Sequence, residues 1–223
     1  MKHGKREKQS SNKNFLSIIL LIILMILVLS GTIAWLTKTS SVSNIFTVGS
    51  FENPTTSPTE PQTPISIDGN IYEPSWNEEE EHKLIPAATF EKDPYVGIGA
   101  GSEDASVYVY VENSFSNKVY FTINEGWEAV EATEGFKSGT YTSGLFKYTE
   151  GLKNAVDADV WTSQPLFSSV TTDETATIED FTIKGSENLE IKVSSFLHQT
   201  KDSDGAPIPE ETIKQAAKDA FGI

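Results

Sequence analysis

The sequence predicts a mainly β protein, a β-sandwich with a short C-terminal helix, preceded by an N-terminal apolar helix that is either a signal peptide or a membrane anchor. Three observations carry that expectation. Short apolar runs separated by turn residues recur along the second half of the chain. One of them, Ser106–Glu112, alternates strictly, with Val107, Val109 and Val111 on one face and Tyr108 and Tyr110 on the other. A helical repeat is clear in Pro209–Phe221, where Ile213, Ala216, Ala217, Ala220 and Phe221 form one stripe.

The N-terminus is built differently from the remainder. Residues 1–14 carry Lys2, Lys5, Arg6, Lys8 and Lys13 against Glu7 alone. Ile18–Leu29 is then an unbroken apolar run inside the looser stretch Phe15–Trp35. A basic flank before an apolar core is an export signal. As a helix, the 21 residues of Phe15–Trp35 would just span a bilayer core of about 30 Å, with the basic flank in the cytoplasm. Ser30-Gly31-Thr32 ends the apolar core with small residues, as a cleavable signal would, whereas Trp35 and Leu36 fit a small-residue cleavage rule poorly. Residues 1–35 are therefore read as a signal peptide or an anchor, contacting the membrane through 15–35 if uncleaved.

Residues 36–52 are β-prone, rich in Thr, Ser and Val. Asn53–Pro64 holds four of the ten prolines, at 54, 58, 61 and 64. That spacing predicts an extended, semi-rigid tether, or on composition a glycosylated stalk. Residues 65–223 are long enough to form one domain with a sizeable core. Strands are expected at Tyr95–Ile98, Ser106–Glu112, Lys118–Ile123, Gly144–Tyr148, Thr175–Ile183 and Asn188–Leu197. In the last of these, Leu189, Ile191 and Val193 point one way and Glu190 and Lys192 the other. Pro209 fits a first helical position, and Gly222 a stop.

Composition narrows the function. The chain has 223 residues, no cysteine, three histidines and a net charge of −15. The missing cysteine excludes disulfides, zinc-thiolate sites and thiol catalysis. The acidic balance argues against a nucleic-acid partner. His3, His82 and His198 lack ligand-like spacing, and neither H-E-x-x-H nor G-x-S-x-G occurs, so no catalytic residue is assigned and no enzyme is expected. Gly97, Gly99 and Gly101 read as a strand end and turn rather than a phosphate loop. Glu78–Glu81 suits a solvated loop, with at most weak calcium association, and Asp202-Ser-Asp-Gly205 reads as an Asp-Gly turn. No cofactor is expected. Lys92-Asp-Pro94 raises a Lys–Asn isopeptide bond next to an acid, although composition does not pick the pair.

Gly31-Thr-Ile-Ala-Trp-Leu-Thr37 followed by Val42-Ser-Asn-Ile-Phe-Thr-Val-Gly49 resembles the start of the TasA/camelysin group of exported proteins, which are often made beside a SipW-type signal peptidase. Ile71-Tyr-Glu-Pro-Ser-Trp76, Leu84-Ile-Pro86, Lys92-Asp-Pro-Tyr-Val96, Pro165-Leu-Phe-x-x-Val170 and the closing Ala-Ala-x-x-Ala-Phe-Gly222 are similar to a clostridial branch with an alternate export signal. Lys38 and Ala87 depart from that pattern. The resemblance implies a jelly-roll-like antiparallel sandwich, secretion from a Gram-positive cell and assembly into biofilm-matrix fibres. Processing is then expected around Ala34, Trp35, Leu36 and Thr37. The mature strand, with Asn44, Ile45, Phe46, Val48 and Phe51 as its assembly residues, would be donated to an open sheet edge of the next copy. In that reading the partner is the chain itself, head to tail. Two alternatives stand beside it: 36–51 is an edge strand of its own domain, or the chain is a membrane-anchored binding module or adhesin. A camelysin-like surface hydrolase is the remote one.

Overall fold

The computed structural model describes residues 34–36, 43–67, 69–76, 82–181 and 190–223. The expected N-terminal helix lies almost wholly outside them. Among the described residues no helix is long and apolar enough to cross a membrane.

The chain is mainly β, with one short helix. In order the strands are β1 (Ala34–Leu36), β2 (Ser43–Val48), β3 (Ile71–Tyr72), β4 (His82–Leu84), β5 (Thr89–Glu91), β6 (Tyr95–Ile98), β7 (Ala105–Asn113), β8 (Val119–Phe121), β9 (Trp127–Glu134), β10 (Tyr141–Leu152), β11 (Val160–Trp161), β12 (Ser169–Thr172) and β13 (Ile191–Gln199). A 3-10 turn occupies Ile178–Phe181, and the helix α1 is Glu210–Phe221. The largest sheet runs β2-β13-β7-β10-β8-β12-β5, with β9 paired to β10 alone. A second sheet is β11-β6-β3, and a third pairs β1 with β4.

The alternation in β7 decides which side is buried by what. Val107, Val109 and Val111 enter the main core with Phe146, Val193 and Leu197 from the flanking strands. Ile71 of β3 and Val96 and Ile98 of β6 join them. Phe121 lies at the centre, 4.3 Å from Phe167 and 5.6 Å from Phe146 between ring centroids. The tyrosine face of β7 is not left to solvent. Tyr108, Leu145 and Phe196 are covered by Ile213 and Ala217 of α1. Tyr110 stacks on Phe221 at 5.2 Å. Burying Ile213 alone contributes about 1.5–3 kcal/mol, and a twelve-residue helix, marginal by itself in water, depends on such packing. Pro209 sits one residue before the helix, with ψ 136°, so it is the N-cap rather than the first helical residue. Gly222 closes the helix at φ 73°, and the Ile223 amide donates to the Lys218 carbonyl.

Two expectations are corrected. Thr175–Ile183 does not form a strand over its described part. Asp180 instead accepts from the Thr177 amide and hydroxyl, which turns the chain into the 3-10 segment. Residues 53–64 are not a free tether. Thr56 bridges to Pro64, and the Ser57 and Ile65 amides donate to the Thr63 and Thr55 carbonyls, so the segment folds back as a hairpin-like loop. Residues 43–48 pair in parallel with β13 of their own chain.

Candidate functional site

The candidate assembly strand is β2. It lies at one end of the large sheet, with β13 as its strand neighbour. Its pairing is parallel, whereas every other pairing among the described residues is antiparallel. In register, Asn44 stands opposite Ser195, Phe46 opposite Phe196 and Val48 opposite His198, and a bulge at Ile45 separates the two halves. Phe51, beyond the strand, is half-buried against the main core. His198 is buried, and its Nδ1 is 2.7 Å from the Gln199 carbonyl oxygen. The expected processing residues Ala34, Trp35 and Leu36 form β1, opposite Leu84, Lys83 and His82 of β4. Thr37 lies outside the described residues.

The segment C-terminal to β2 is fastened to the body by close approach. The Gly99 amide donates to the Glu52 carbonyl at 2.7 Å. A Cβ on Gly99 would lie 2.6 Å from the Asn53 oxygen, so the contact needs glycine. Gly97 does the same for Trp161, whose ring lies 2.4 Å from where a Cβ would be. Trp161 Nε1 in turn donates to the Thr56 carbonyl at 3.0 Å. Asp159 is the hub: its Oδ2 accepts from the amides and hydroxyls of both Thr55 and Thr56, and its Oδ1 from the Ala100 amide. Burial pushes this carboxyl up, but the donors from Thr55 and Thr56 outweigh it and hold the group below the usual aspartate value. The glycine run thus serves a strand end and a docking seam.

A second cluster joins two of the sequence motifs. Lys92 Nζ donates to Glu73 Oε2 at 2.7 Å, with side-chain exposures of 2% and 4%. The same ammonium stands 4.6 Å from the centre of the Trp76 ring. The adjacent Asp93 accepts from the Ser75 amide at 2.8 Å and the Ser75 hydroxyl at 2.9 Å. Burial raises the Asp93 carboxyl despite these donors. The turn Glu73–Trp76 is therefore gripped twice by consecutive residues. Neither motif predicts that contact from its own spacing.

The acidic loops have ordinary partners. Asp202 Oδ1 accepts from the Asp204 and Ala206 amides, closing the Asp-Gly turn. Asp104 Oδ1 accepts from the Asn154 amide at 2.9 Å, and this bond leads in lowering its carboxyl. Among the described residues no group of three or more His, Cys, Asp or Glu is placed to hold a metal ion. Glu78–Glu81 lie outside them.

No family model, no curated protein and no solved structure matches this chain.

Proposed function

We propose that the chain is a secreted structural subunit that assembles into extracellular biofilm-matrix fibres by exchanging β2 between copies. The observation that supports this reading is the position of β2, an outermost strand joined to the body on one side by ladder bonds to β13. An edge strand held by one ladder can make the same ladder on a neighbouring copy. Such an interface is heterologous, so it extends into a filament instead of closing. In the finer architecture of this proposal the sheets close as a jelly-roll-like sandwich, with α1 outside. The basic and apolar N-terminus delivers the body across the membrane, a signal peptidase releases it near Ala34–Thr37, and the product is a matrix component rather than an enzyme.

A second reading keeps the apolar segment as an anchor for a surface binding module. It is favoured by β1, because the residues expected to be cut are paired with β4. Electron microscopy and N-terminal sequencing of the extracellular material separate the two. Filaments beginning within 34–37 are expected for the fibre subunit. Monomers of full length in the membrane fraction would overturn it and support the anchored module.

A further inference from the structure

We propose that Lys92 and Glu73 become joined by an intramolecular isopeptide bond that the folded chain makes by itself. Lys92 is among the largest fully buried side chains. Its ammonium nitrogen is 2.7 Å from a carboxylate oxygen that is equally withdrawn from water. Two ions in such a place are held at a high desolvation cost. For a bond to form, one proton must pass from Nζ to Oε2 along the existing hydrogen bond, leaving an amine beside a carboxylic acid.

The amine must then turn its lone pair from the Oε2 hydroxyl onto the Glu73 carboxyl carbon. The N–C bond forms and the carbonyl π pair moves to oxygen. When the carbonyl re-forms, the C–OH bond breaks, and the hydroxyl leaves with a second proton from nitrogen. One amide and one water result, with no oxidant, nucleotide or metal consumed. In bulk water the separate ions are favoured, but a fixed contact can act as an effective concentration of about 10⁵ M or more. The fixing is visible here: Trp76 holds the ammonium from one side, and Asp93 pins the glutamate's turn through Ser75. The product carries no charge, so the desolvation cost disappears with the bond. It would tie the segment after β3 to the segment after β5, a covalent staple in a chain without cysteine.

The test is a peptide map of the expressed full-length chain, denatured and digested with trypsin. An isopeptide at Lys92 blocks cleavage there. The expected product is therefore residues 84–118, uncut at Lys92 and attached to residues 39–83, lighter by one water than the two peptides together. Glu73→Ala should restore cleavage at Lys92, whether or not that variant folds. Glu73→Gln should give the same branched product with loss of ammonia instead of water. Free peptides 84–92 and 93–118 as the main products of the unaltered chain would overturn the proposal. So would a linear 84–118 peptide without its 39–83 partner.

Discussion

Tyr108 shows how a single atom marks the limit of a well-packed seam. Its ring is fully buried under α1, and its hydroxyl is buried with no hydrogen-bond partner among the described residues. Burial first, then the carboxylates of Glu210, Glu128 and Glu211, push that hydroxyl up to about 12. The group therefore stays neutral but loses its hydration, which for an unsatisfied buried hydroxyl costs about 1–3 kcal/mol. Tyr108→Phe keeps the ring and removes the orphaned atom. The expected outcome is a gain of about 1 kcal/mol in unfolding free energy, read by denaturant titration. A loss of that size would mean that the hydroxyl contributes a bond after all. The strict alternation of Ser106–Glu112 makes the two faces of β7 legible in the sequence. It does not reveal that the tyrosine face is also covered, because that depends on a helix far along the chain finding Leu145 and Phe196 beside it.

At the scale of elements, the loop 53–64 and β2 behave as separate attachments. Asp159 holds the loop with acceptor bonds to two threonines, and its folded pKa is depressed. A depressed aspartate adds stability above its ordinary value of 3.8, and that contribution is lost as pH falls through the lower folded value. The loop should therefore loosen below about pH 4, seen as faster proteolysis between Thr55 and Pro64. Asp159→Ala should show the same loosening at neutral pH, at a cost of about 2 kcal/mol for the lost charged bonds. Equal protection of variant and parent would place the loop's support elsewhere. For β2 the useful cut is at Ser50, since starting at Ile65 would also remove the Glu52–Gly99 and Thr55–Asp159 contacts. A chain from Ser50 should keep its β-rich circular dichroism and lack the filaments expected of the proposed strand exchange. Phe46→Asp with Val48→Asp should act alike, since each is a register position on β13. Filaments from the shortened chain would exclude strand exchange. Much at this scale is legible in the sequence: Tyr95–Ile98 matches β6 residue for residue, and the helix ends at its glycine. By contrast, β9 is hidden. Trp127 and Ala132 pack on the main core and Val130 on the helix side, a register shift between Ala129 and Glu131 breaks the alternation, and Glu128, Glu131 and Glu134 are exposed, so no period-2 signal marks the strand. The fold of the loop at 53–64 escapes sequence reading because proline spacing reports what a segment cannot form, not what it can lie against.

For the whole molecule, charge sets the condition under which copies can meet. Residues 36–223 hold 12 basic and 31 acidic side chains, a net charge of −19. Two such bodies carry a net repulsion, and the outer strand β9 carries the charged Glu128, Glu131 and Glu134, the first two paired with Lys147 and Lys218. Charged side chains along an edge discourage pairing there. In the proposed fibre, growth through β2 would bring the copies close while relying on ladder bonds and apolar contacts, which salt scarcely weakens. The repulsion is different: its range is about 30 Å at 0.01 M salt and about 8 Å at 0.15 M. Under the proposed strand exchange, assembly of residues 36–223 should accordingly speed up as salt rises across that range, by about tenfold for each 1.4 kcal/mol of repulsion removed from the encounter. Light scattering against time, at fixed protein concentration, reads this directly. The chain beginning at Ser50 serves as the comparison, because it keeps almost all of the charge and lacks the strand. It should remain flat at every salt concentration. Slower assembly at higher salt would mean that opposite charges build the interface, and an exchanged edge strand would no longer account for it.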